Sequence, residues 1–199
     1  MKTESATARP GYDTLSQVFH WITAALIIVV LLPLGFYAHW LGDGPVRAAI
    51  LDHWHKPLGL LVIAITVLRL GWKAVRPPVS EASGLRPWEG IASHIAHRLL
   101  YVLLLAMPLS GLLMSQGAGR PTSFFGLFSI PQMLALDPML KPREQYFYKL
   151  GTFLHGTLFV WILVAILVIH ICGALKHRYV DGDRSYFRRM LGRATDAAE

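Results

Sequence analysis

The chain has a single cysteine, Cys172, in 199 residues. That excludes an intrachain disulfide, a zinc site built on cysteines and the C-x-x-C-H attachment of a c-type haem. Any haem here must be held without covalent bonds. Charge is also scarce: charged residues are 16% of the chain, with 12 acids against 19 bases. The net charge of +7 is not read as a nucleic-acid signal, because in so apolar a chain the position of the charges matters more than their total. No internal repeat and no low-complexity segment is present. The N-terminal MKTESATARPGYDTLSQ is polar, and no small-residue cleavage site follows a short apolar core, so no signal peptide is expected.

What the chain has in excess is apolar residues, 54% with a mean hydropathy of +0.44, gathered into blocks rather than dispersed as in a soluble domain. Four blocks approach the length that crosses a bilayer: about Val18 to Leu41, Leu58 to Trp72, Leu99 to Met114 and Phe153 to Leu175. With their polar lead-ins they predict helices over about 14–41, 45–75, 88–115 and 145–177. The expected fold is all-α, an integral membrane four-helix bundle in one domain over 12–190, with tails 1–11 and 191–199. Asp13 or Thr14 suits the N-cap of the first helix, Pro33 predicts a kink in it, and Pro45 suits the first turn of the second. The connection over SFFGLFSIPQML reads as an interfacial segment lying on the membrane. Thirteen of the nineteen basic residues fall on the side that holds both termini, which places the termini in the cytoplasm.

The histidines are the anomaly. His155 and His170 stand in the fourth apolar block, where polar groups are costly and normally have a task. Fifteen residues apart, they are separated by about 22 Å along a helix but by only about 60° around it. One helix face thus offers an imidazole near each membrane surface. His20 lies about six residues from the inner end of the first helix, level with His170; His55 lies about ten from the outer end of the second, level with His155. Two bis-histidine layers follow, with the fourth helix contributing to both. His53 points away from His55, and His39 reads as interfacial. His94 and His97 share a face of the third helix near its inner end. His97, with Arg98 beside it, reads as a headgroup, propionate or quinone contact rather than a ligand.

An imidazole in lipid serves a hydrogen bond, a proton path or a metal. Zinc wants three or four protein ligands, whereas each layer supplies two histidines and no carboxylate. A haem iron takes two axial nitrogens, since the porphyrin fills its equatorial plane. Small residues one turn from each histidine, Gly59 after His55, Gly151 before His155, Ala24 after His20 and Ala174 after His170, leave room for a flat macrocycle. They equally suit close helix packing in lipid.

The segments FHW at His20, HKPLG at His55 followed by VLRLGW, AHRLLY with PLSG in the third helix, LH at His155, and IHICGALKHRYVDGDRSYFRRM around His170 resemble, in order and spacing, the prokaryotic cytochrome b561 family. That family is a four-helix dihaem group, similar also to the b-type cytochrome subunits of Ni/Fe hydrogenases. The resemblance covers about Tyr12 to Met190. It implies that His20, His55, His155 and His170 ligate two non-covalent b haems in the bacterial inner membrane, and that ubiquinone is a redox partner. The GRPTSFFGLFSIP loop resembles a branch often associated with a periplasmic electron-transfer, lipid- or quinone-binding protein. Three functions are carried forward: transmembrane electron transfer between the quinone pool and a periplasmic partner, superoxide:ubiquinone oxidoreduction with the outer bases Lys56, Arg120, Lys141, Arg143 and Lys149 steering the anion, and a histidine-lined metal or proton transporter.

Overall fold

The computed structural model describes residues 12–76, 86–182 and 190–191. Among the described residues four helices are long and apolar enough to cross a membrane: α1 (Thr14–Trp40), α2 (Pro45–Val75), α3 (Pro87–Gly117) and α4 (Tyr146–Tyr179). Each boundary falls within about two residues of the expected one, because caps and prolines mark it. Asp13 accepts a 3.1 Å bond from the Ser16 amide at the start of α1, and Pro45 and Pro87 open the first turns of α2 and α3. Most of the connection after α2, 77–85, and most of both tails lie outside the described residues.

The membrane segments are inverted relative to a soluble core. Val29, Val67, Val102 and Trp161 are at least 55% exposed, as expected of side chains that face lipid. In lipid there is little hydrophobic drive between helices, so close approach depends on small residues. A Cβ on Gly117 would lie 2.3 Å from the Tyr148 amide nitrogen, and one on Gly151 would lie 2.5 Å from the Met114 amide nitrogen. The outer halves of α3 and α4 therefore meet backbone to backbone. The buried apolar core, Ile27, Val62, Leu103, Leu104 and Leu163, draws on all four helices. At the inner end Lys176 binds Glu89 at 2.6 Å and Asp181 at 2.8 Å, joining α4 to the start of α3.

Three stretches of these helices widen into π-turns: Leu26–Leu31, Leu51–His55 and Leu154–Phe159. Two are explained by proline. Pro33 and Pro57 stand just past their π-turns, and a proline ring collides with the carbonyl four residues back unless the helix opens there. The expected kink at Pro33 is thus absorbed as a π-turn. No proline accompanies the third.

The connection expected to be an interfacial segment carries regular structure that the sequence pattern did not predict. It contains an antiparallel hairpin, β1 (Thr122–Phe124) with β2 (Phe128–Ile130), turned through Phe125 and Gly126, both at positive φ. Buried glutamines hold the rest. Gln116 accepts from the Met133 amide at 2.7 Å and donates to the Pro131 carbonyl at 3.0 Å; Gln145 accepts from the Asp137 amide at 3.1 Å and donates to the Asp137 carbonyl at 2.7 Å. Side-chain amides present a donor and an acceptor together, so each satisfies two backbone groups of a loop with little structure of its own.

Candidate haem-binding site

The bundle brings the expected histidines into two layers. In the outer layer the rings of His55 and His155 have centroids 5.9 Å apart at 87°. In the inner layer those of His20 and His170 are 6.3 Å apart at 55°. Two imidazoles bound trans to one metal through bonds of about 2 Å would hold their centroids about 6 Å apart. Both pairs meet that spacing. His97 also reaches the inner layer, its ring 5.0 Å from that of His170, which is short for an intervening iron.

Both outer histidines stand in π-turns, of α2 and α4 respectively, a feature frequent at functional sites because it re-aims a side chain without ending the helix. The His155 Nδ1 is 2.8 Å from the Met107 carbonyl oxygen. That oxygen can only accept, so Nδ1 carries the proton and Nε2 keeps its lone pair. A backbone carbonyl in this position fixes the ring and the tautomer that a metal needs. His55 Nδ1 is buried and without a hydrogen-bond partner, a costly state for a polar atom that serves only packing.

Glycine supplies the space around these rings. A Cβ on Gly111 of α3 would lie 2.9 Å from His155 Cε1, and one on Gly35 of α1 would lie 3.3 Å from His55 Cε1. The orphaned nitrogen, the two glycines and the ring spacing together fit a flat bis-imidazole group. The glycines expected from sequence stand differently: Gly151 abuts the α3 backbone at Met114, and a Cβ on Gly59 would make an ordinary 3.8 Å contact with Pro108 Cβ. Gly35 and Gly111 were missed because they lie on α1 and α3, which contribute no histidine to the outer layer; only the packing of four helices brings them to the rings.

The inner layer adds a residue that sequence reasoning passed over. Arg69 of α2 donates to His20 Nδ1 at 3.3 Å, and its guanidinium stands 5.1 Å from the centroid of the Tyr101 ring. Lys73, one turn on, stands 5.0 Å from the same ring. Arg98 is exposed. The signal for Arg69 was available, since an arginine six residues inside an apolar helix is as anomalous as a histidine. His97 donates from Nδ1 to the Ser93 carbonyl at 2.7 Å, and His94 likewise to Gly90 at 2.8 Å. His39 and His53 are exposed, away from both layers. Among the described residues no group of three or more histidine, cysteine or acidic side chains is placed to hold a bare metal ion.

The end of the bundle that holds the α1–α2 and α3–α4 connections carries a small charged cluster. Asp43 pairs with Arg47 at 2.9 Å and with Arg143. The hydrogen bond from Arg143, and then its charge, hold the Asp43 carboxyl below its ordinary range, and the same contact raises Arg143.

Residues 11–193 match the family model described as prokaryotic cytochrome b561. The chain is 30% identical over 190 residues to cytochrome b561 homolog 2 of Escherichia coli K12, covering 92% of this chain and 93% of that protein. It is 24% identical to cytochrome b561 homolog 1 of the same strain, over 88% and 94%, and 22% identical to the probable superoxide oxidase CybB of Yersinia pestis, over 90% and 95%.

Proposed function

The chain belongs to the prokaryotic cytochrome b561 family, a multi-pass membrane family of electron-transfer cytochromes, and from that premise we propose that it carries electrons across the bacterial inner membrane through two b haems. His55 and His155 hold the outer haem and His20 and His170 the inner one. The carrying observation is that two imidazole pairs, at 5.9 and 6.3 Å, each include a histidine of α4, His155 and His170, fifteen residues apart along that helix. A b haem held by each histidine pair would supply a one-electron couple, and ligation by two histidines would favour electron transfer over oxygen binding. The protein's part is to orient the rings, as Met107 does for His155, and to separate the layers with the apolar core. Ubiquinone and a periplasmic protein are the proposed partners, with both termini in the cytoplasm. Direction then follows from the potentials of the two haems and from the membrane potential, about 2.3 kcal/mol per charge per 100 mV.

A visible spectrum with a pyridine haemochrome titration of the purified protein tests this. Two low-spin haems per chain are expected, one remaining after His155→Ala and the other after His20→Ala. One haem in the unaltered chain, or loss of the same haem from both variants, overturns the two-layer assignment. Absence of haem would return the chain to the metal or proton transporter class. A second reading, superoxide oxidation coupled to ubiquinone reduction, draws on the outer cations Arg47, Arg120 and Arg143 around Asp43 and on the relative named a probable superoxide oxidase. Superoxide-driven reduction of the haems, lost on neutralising those cations, would establish it.

A further inference from the structure

Arg69 faces the inner histidine pair, Lys73 stands one turn on over the same Tyr101 ring, and among the described residues neither has an acid to answer it. Arg69 is half-buried, and a charged side chain at membrane depth is retained only with a partner. Among the described residues neither meets a carboxylate. The acids nearby in the fold are already engaged: Asp13 accepts from Ser16 and from Trp72, Glu89 from Lys176 and from the Arg86 amide, and Asp181 from Lys176. One turn apart on α2, the two cations share a face and stand over one ring, that of Tyr101 on α3.

Among the described residues Arg69 makes one hydrogen bond, to His20, and it is one that haem binding would remove. A guanidinium can only donate, so its contact with His20 requires a lone pair on Nδ1 and leaves the proton on Nε2. Ligation through Nε2 reverses this: Nδ1 must then carry the proton, and Arg69 can no longer donate to it. The guanidinium is displaced toward whatever negative charge arrives with the iron.

Resting on the haem reading above, we infer that Arg69 and Lys73 form a two-cation clamp for the two propionates of the inner haem, Arg69 moving from His20 to a carboxylate as the haem loads. The guanidinium fork suits a carboxylate bidentately, and two cations match the two negative charges that a b haem carries. Lys73 is exposed, as is Arg98, but it shares the Tyr101 ring with Arg69, whereas Arg98, the cation expected from sequence to hold a propionate, makes no such contact among the described residues.

The test is a redox titration of the purified holoprotein, with the inner haem identified by its loss from His170→Ala. Arg69→Gln and Lys73→Gln leave propionate charge uncompensated beside the iron, which stabilises the oxidised state. Each is expected to keep both haems and to lower the inner haem's equilibrium constant for reduction about tenfold, or about 59 mV for one electron, leaving the outer haem unchanged. Arg69→Lys should restore most of the shift, since charge rather than packing sets it, and Arg98→Gln should change nothing. An unaltered inner potential in both glutamine variants, a shift produced by Arg98→Gln, or loss of the haem from all three substitutions at 69 and 73 would overturn the clamp. Retention of both haems by His170→Ala would instead overturn the haem assignment itself.

Discussion

Three glycines, substituted by alanine, separate haem packing from helix packing. Gly111→Ala sets a methyl 2.9 Å from Cε1 and 3.0 Å from Nδ1 of His155. That ring cannot simply turn aside, because Nδ1 is held by the Met107 carbonyl at 2.8 Å. Overpacking of this kind costs about 1–3 kcal/mol, and if the ring yields, the hydrogen bond is lost as well, about 0.5–1.5 kcal/mol more. The first term alone corresponds to about a 5- to 150-fold weaker outer haem. Gly151→Ala meets the Met114 backbone at 2.5 Å, and because a backbone has no rotamer to change, α3 and α4 must separate. It should lower the stability of the whole bundle and release both haems together. Gly59→Ala makes an ordinary contact at 3.8 Å and should be silent. The assay is transfer of haem to an excess of apomyoglobin, followed by difference spectra that resolve the two haems. Selective loss of the outer haem from Gly111→Ala is expected. If Gly111→Ala holds both haems as tightly as the unaltered protein while Gly59→Ala sheds one, the cradle has been assigned to the wrong glycine.

His97→Ala should retain both haems, because its ring is 5.0 Å from that of His170, short for a shared iron; a haem count of one would make His97 the ligand in place of His170. Gln116→Leu strands the Met133 amide and the Pro131 carbonyl, at about 1–3 kcal/mol each if they stay buried. Limited proteolysis should then cut the outer connection faster while the haem content holds, and an unchanged cleavage rate would show that Gln116 does not order it. At the outer surface the depressed Asp43 pKa stabilises the fold while its carboxylate is ionised. That contribution is complete above the ordinary value of 3.8 and is lost as pH falls through the lower folded value. The pair is exposed, so the effect is small and screened by salt. Removal of the partner by Arg143→Gln should lower Tm slightly and evenly from about pH 5 to 8, with the difference vanishing in acid and in high salt. A difference that grows in acid contradicts the assignment.

Helix number and boundaries were legible from sequence because bilayer crossing is a one-dimensional property: a run of apolar residues long enough, with Asp13 and Pro45 marking where the first two helices begin. The proximity of His20 to His170 and of His55 to His155 was legible for the same reason. An imidazole in such a run is anomalous by itself, and depth along a helix can be counted residue by residue, so the layers could be paired before any fold was known. Rotation and approach between helices cannot be counted that way. The aim of Arg69 at His20, the placing of Gly35 and Gly111 against rings carried by other helices, and the use of Gly151 for backbone contact depend on how four cylinders turn about their axes. The packing of small residues settles that rotation only when all four are assembled. The hairpin Thr122–Ile130 was hidden for a related reason. Its strands are three residues each, too short for a periodicity to show, and the connection is held to the bundle by side-chain amides from α3 and from just before α4, whose partners are many residues away.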